Sequence, residues 1–253
     1  MNSKLRLASL AAGLFCAGLL WAGDPWQEKP YTEWSHRDAE KVLNNSPWAS
    51  TEEIFLSAPV GGGSPGEIRR LPDDLARRWV DPNRYNDAAQ SLWQQRTGQR
   101  GVPLEATVTG VVIVQWASSL TLRQALVRQG QLYGRGTDAE AEQLLSLPLE
   151  HYVVAVYRSD LSSFTDVTGD TARAAAYLEL KPSKRKMPPA LVQLVRWGDV
   201  LTHVEFYFPR ESQGQPTIGP AETGVTFYWQ HGKQSTRVDF DLRKMVREGK
   251  PDL

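Results

Sequence analysis

The chain has 253 residues, 29 basic and 29 acidic, for a formal net charge of zero. That balance argues against a chain-wide field for nucleic acid or acidic lipid, and a single cysteine rules out an intrachain disulfide framework. With 41% hydrophobic residues, the chain is long enough to bury roughly 70% of its unfolded surface and so to rest on an ordinary core.

Lys4 and Arg6 form a positive start, and the residues from Leu7 carry no charge until Asp24. Small residues lie at a cleavage point after Ala22 or Gly23, the layout of a secretory signal peptide over residues 1–23. A retained anchor over residues 7–22 is the alternative, although an uncharged run of about 17 residues rich in Ala and Gly lies at the bottom of the spanning range. Leu14 and Phe15 precede Cys16, where a lipidation signal wants small residues. Cleavage therefore leaves an exported chain without a thiol. It removes Lys4 and Arg6 as well, giving 27 basic residues against 29 acidic and a net charge of −2.

KPYTEWSHRDAEKVLNNSPWA, residues 29–49, holds one short amphipathic helix between aromatic turns. Ser35 is its N-cap with Asp38 in the capping-box position, and Ala39, Val42 and Leu43 share one face over residues 36–44. So short a helix needs tertiary burial to persist, and Trp34 and Trp48 at its ends are read as packing anchors. Residues 52–57 read as a strand. Residues 57–103 begin with the Gly/Pro/Ser-rich SAPVGGGSPGE, contain two short helical patterns and form an insertion beside a single domain over residues 24–253.

ATVTGVVIVQW, residues 106–116, is apolar on both alternating faces, as a central strand is. Thr121 with Gln124 marks the start of a helix that Gly130 stops, and Thr137 with Glu140 caps another that Pro148 ends. Strands follow at residues 152–157, 175–181, 190–197, 202–208, 224–230 and 235–241, with a short closing helix in LRKMVREG and Gly249 as its cap. KPSKRK, residues 181–186, reads as a solvated hairpin tip, with a polyanion contact as the second reading. The expected fold is α+β: a largely antiparallel sheet of six or seven strands with short helices packed on one face.

Chemistry is sparse. Neither a zinc-protease motif, a nucleophile elbow nor a phosphate loop occurs; GGGSPGE lacks the Lys-Ser/Thr that a phosphate cradle requires. No cofactor follows from any motif. Asp160, Asp166 and Asp170 miss the calcium-loop spacing. The best constellation is His203 and Glu205, an HxE pair on one face of a strand, suited to a metal site or acid/base work with Asp239 or Asp241. Alternation puts Val204, Phe206 and Phe208 toward the core, however, so His203, Glu205 and Tyr207 are expected to point to solvent. Of the tryptophans, Trp26, Trp79 and Trp93 are the least constrained by pattern and are the candidates for a ligand platform.

The N-terminal segment KPYTEWSHRDAEKVLNNSPWA, the VQWASSLTLRQAL junction, and EFYFPRE, TGVTFYWQ and VDFDLRKMVREGKPDL near the end resemble uncharacterised exported proteins of acidobacterial type. The resemblance covers the first helix and everything after about residue 106, and implies export and one fold unit. It implies no activity, so no functional residue carries over. The sequence therefore points to a non-catalytic envelope-associated or binding protein, with envelope proteins or a small ligand as partners. The alternative is an exported hydrolase or metal-dependent enzyme using His203 and Glu205.

Overall fold

The computed structural model describes residues 23–55, 109–158, 167–197, 200–232 and 234–253. The reading of residues 57–103 lies outside them, as do Trp79 and Trp93.

Strands β1 (Ala49–Phe55), β2 (Thr109–Trp116), β3 (His151–Arg158), β6 (Leu191–Trp197) and β7 (Val200–Pro209) form an antiparallel sheet in the order β1-β2-β3-β7-β6. Strands β4 (Ala176–Lys181), β5 (Lys186–Met187), β10 (Gly224–His231) and β11 (Gln234–Asp241) form a second, in the order β11-β10-β4-β5. The α+β class with antiparallel strands holds, and the strands divide between two packed sheets. Alternation dictates the inner faces. Val112, Val114 and Trp116, Tyr152, Val154 and Val156, and Val204, Phe206 and Phe208 meet Leu178, Leu180, Val225, Phe227, Trp229, Val238 and Phe240 in one buried cluster. Ring contacts cross between the layers: Phe206 lies 5.1 Å from both Phe227 and Trp229, and Trp116 lies 5.2 Å from Phe240.

The helices are α1 (Pro25–Glu28), α2 (His36–Asn44), α3 (Leu120–Leu132), α4 (Asp138–Ser146) and α5 (Gly169–Ala174), with a 3₁₀ turn at Tyr31–Glu33. Helix α2 has the expected bounds and capping box, and it buries Ala39, Val42 and Leu43. Helix α4 carries the Thr137–Glu140 box. Helix α3 begins earlier than expected: Ser119, not Thr121, is its N-cap, and the helix runs through the buried Gly130 to Leu132. Helix α5, capped by Thr168, has no counterpart in the sequence reading.

LRKMVREG is not a helix. Val246–Arg247 (β12) and Lys250–Pro251 (β13) pair as a ribbon across Glu248 and Gly249, both at positive φ, the geometry that tight hairpin turns require. Glu211–Ser212 (β8) and Gln215–Pro216 (β9) repeat the arrangement across Gln213 and Gly214. Among the described residues no helix is long and apolar enough to cross a membrane.

Candidate functional site

Both tryptophans flanking α2 are in the core: Trp34 is 2% exposed and Trp48 fully buried. The Trp34 indole donates to the carbonyls of Pro25 and Lys29 at 3.1 and 3.2 Å. That of Trp48 donates to the Asp252 carbonyl at 2.7 Å. The half-buried Trp26 packs edge-on against Trp48 at 5.7 Å with the Lys41 ammonium 5.5 Å over its ring.

The outer face of the five-stranded sheet, turned away from the second sheet, holds the best candidate from the sequence. On β7, His203, Glu205 and Tyr207 follow one another on that face. Their cross-strand neighbours on β3 are Tyr157, Ala155 and Val153, and on β6 they are Val195, Gln193 and Leu191. Alternation placed these side chains on the correct face, but the solvent expectation for His203 is wrong. The residue is 3% exposed and stands beside a second buried cluster on this face, formed by Val111, Ile113, Ala155 and Tyr157.

The three side chains make one polar chain. His203 Nε2 lies 3.1 Å from Glu205 Oε1, and the Tyr207 hydroxyl donates to Glu205 Oε2 at 2.5 Å. At the other end a β-bulge intervenes: Val195 pairs with His203 and Arg196 with Leu201, leaving Thr202 as the extra residue. The bulge brings Thr202 Oγ1 to 3.1 Å from His203 Nδ1 and 3.0 Å from the Val195 carbonyl. A hydroxyl has one proton, so two patterns satisfy the chain. Either Thr202 donates to a neutral imidazole whose Nε2–H bonds Glu205, or Thr202 donates to Val195 and a doubly protonated imidazole donates to both neighbours.

In order of parts this is hydroxyl, imidazole and carboxylate, the sequence found in acyl-transfer triads. Its setting differs in burial: His203 is 3% exposed. Both ring nitrogens are engaged, and Tyr157 stacks on the ring at 4.6 Å and 22°. A buried, doubly bonded and stacked imidazole is a well-satisfied polar element of a sheet face. The third groups named from sequence lie elsewhere, on the other sheet: Asp239 bonds Thr226 and Lys181, and Asp241 bonds Arg243. Among the described residues no group of three or more His, Cys, Asp or Glu could hold a metal ion. Asp170 is exposed and pairs with Arg173, while Asp160 and Asp166 lie outside the described residues.

Arg158 is a buried charge that no sequence motif marks. The parity of Tyr152, Val154 and Val156 continues to it, so alternation already pointed this guanidinium inward, and it is 2% exposed. Its Nη1 lies 3.0 Å from His231 Nε2, and its Nη2 donates to Gln234 at 2.6 Å. His231 is thus a partner of Arg158 as well as a turn residue. Burial first, and the adjacent guanidinium second, lower its pKa from 6.5 to about 4.

The unfolded chain therefore takes up this proton first as pH falls. The contribution of neutral His231 is complete above about pH 6.5, declines between 6.5 and 4, and changes no further below. With allowance for solvent screening, the loss is on the order of 1–2 kcal/mol. His231→Gln keeps an acceptor for Arg158 and should flatten that part of a melting-temperature curve recorded from pH 7.5 to 4; an unchanged slope would show that other groups set it.

Comparison of the chain with family models, curated proteins and solved structures finds no match. The site's geometry therefore carries the functional argument.

Proposed function

We propose that this chain is a non-catalytic exported protein, a binding or accessory module of the cell envelope like the exported proteins its terminal segments resemble. One observation carries the reading: the residue best suited to chemistry, His203, is 3% exposed, with one ring face stacked on Tyr157 inside the sheet. Export follows from the leader-like residues 1–23, and the single-domain reading from the continuous pattern of elements after it.

The test compares the wild-type protein with His203→Gln on a panel of chromogenic esters, phosphomonoesters and glycosides, with melting temperatures measured alongside. The expected result is no turnover by either protein and a lower melting temperature for the variant, because removing one member of a buried polar network costs about 1–3 kcal/mol. Wild-type turnover that disappears in a variant of unchanged stability would replace this reading with the hydrolase one.

A further inference from the structure

Helices α3 and α4 and the 3₁₀ turn at Tyr31–Glu33 enclose an open groove of about 480 Å³. Its floor is firm, since Val127, Ala141 and Leu144 form a packed cluster against which Tyr31 and Leu145 rest. Leu120 and Gln124 stand one turn apart on α3; Asp138, Glu142 and Leu145 share a face of α4. A nine-residue helix is about 13 Å long, the span of about four residues of extended chain.

Two independent features specify what would lie there. The first is Gln124. It is only 8% exposed, lines the groove, and makes no side-chain hydrogen bond among the described residues. The stem of Gln124 is buried while its carboxamide reaches the open groove, where it offers a donor and an acceptor together, the complement of a peptide group. The second is charge. Asp138 and Glu142 are like charges four residues apart, an arrangement that repels. Among the described residues no basic side chain lines the groove, and Asp138 receives only a long 3.4 Å bond from Gln131. A cation set between the two carboxylates removes the repulsion. Tyr31, Leu120 and Leu145 supply apolar walls for the stem of such a group.

We propose that this groove docks an extended segment of a partner protein, with a lysine or arginine between Asp138 and Glu142, a main-chain amide on Gln124 and an apolar neighbour against Tyr31 and Leu145. The proposal deepens the binding-module reading by naming the ligand chemistry, and it rests on that reading.

The test is a titration of the ¹⁵N-labelled protein followed by amide shifts at about 50 mM salt, where charge pairing is weakly screened. The probe is acetyl-Leu-Arg-Leu-Lys-amide; acetyl-Leu-Glu-Leu-Glu-amide and spermidine are run in parallel. The expected result is saturable shifts on α3 and α4 with the basic peptide alone. Affinity should fall about tenfold in Asp138→Asn/Glu142→Gln, whose exposed positions spare the fold, and should fall again in Gln124→Ala. No saturation by several millimolar, equal binding of the acidic peptide, or equal binding of spermidine would each overturn the peptide assignment. A failed titration leaves the non-catalytic reading standing, whereas His203-dependent turnover removes that reading without touching the groove.

Discussion

Replacing Trp48 with alanine should lower the stability of the protein by about 4 kcal/mol or more, read as a shift of the urea unfolding midpoint at constant slope. The side chain is fully buried, so its removal forfeits the transfer energy of an indole and leaves a cavity, together worth about 3–5 kcal/mol. Two further losses add to this. The edge-on pairing with Trp26 contributes about 1 kcal/mol, and the Asp252 carbonyl loses its 2.7 Å donor. Trp34→Ala belongs to the same class, because Trp34 is 2% exposed and its indole bridges two carbonyls of the segment before α2. Trp48→Phe keeps most of the volume and should cost roughly half as much. Surface substitutions usually change stability by less than about 0.5 kcal/mol, so a Trp48→Ala midpoint within that range would mean that the ring is a surface group and that the packing account fails.

What the sequence revealed was local, and what it concealed was not. Helix α2 was legible to the residue because its signals lie within ten positions: Ser35 and Asp38 at one end, a polar breaker run at the other and one apolar face between. The β10–β11 hairpin was legible because Val225, Phe227 and Trp229 alternate with the more polar Thr226 and Tyr228.

The start of α3 was misplaced because Ser119 owes its role partly to a carboxylate 133 residues away. LRKMVREG has helix-forming residues, but eight residues hold a helix weakly, and positive φ at Glu248 and Gly249 turns the chain into a ribbon. For His203, a period of two fixes which face a side chain takes and says nothing about whether that face is covered. The bulge at Thr202, which completes the polar chain, depends on the register between β6 and β7 and leaves no mark in either strand's own pattern. The groove was equally hidden, since Gln124 and Glu142 lie on separate helices and become neighbours only when these pack.

Asp252→Ala should cost about 3 kcal/mol and loosen α3 before the rest of the molecule. The first turn of a helix has backbone N–H groups with no intrahelical acceptor, and its end attracts negative charge. Asp252 meets both needs from a distant part of the chain. Its Oδ1 accepts from the Leu120 N–H at 2.6 Å, and its Oδ2 accepts from the Thr121 N–H at 3.0 Å and the Ser119 hydroxyl at 2.8 Å. Two guanidiniums lie near enough to feel its charge, those of Arg123 and Arg210; burial lowers the pKa of each, and Asp252 counters that effect in both.

The Asp252 main chain is held as firmly as its carboxylate. Its N–H bonds the Met245 carbonyl at 2.9 Å, and its carbonyl receives the Trp48 indole. Loss of the carboxylate therefore leaves the backbone in place and exposes a specific defect, two amides without acceptors beside two poorly balanced cations. Asp252→Asn keeps one acceptor oxygen but no charge, and should lose about half as much as alanine. Hydrogen exchange separates this account from general loosening. Protection should fall first at Leu120 and Thr121, and less at Leu122, whose N–H is still capped by Ser119 at 3.3 Å. Equal loss of protection across both sheets would mean that Asp252 acts on the whole fold, and unchanged exchange at Leu120 would remove its capping role.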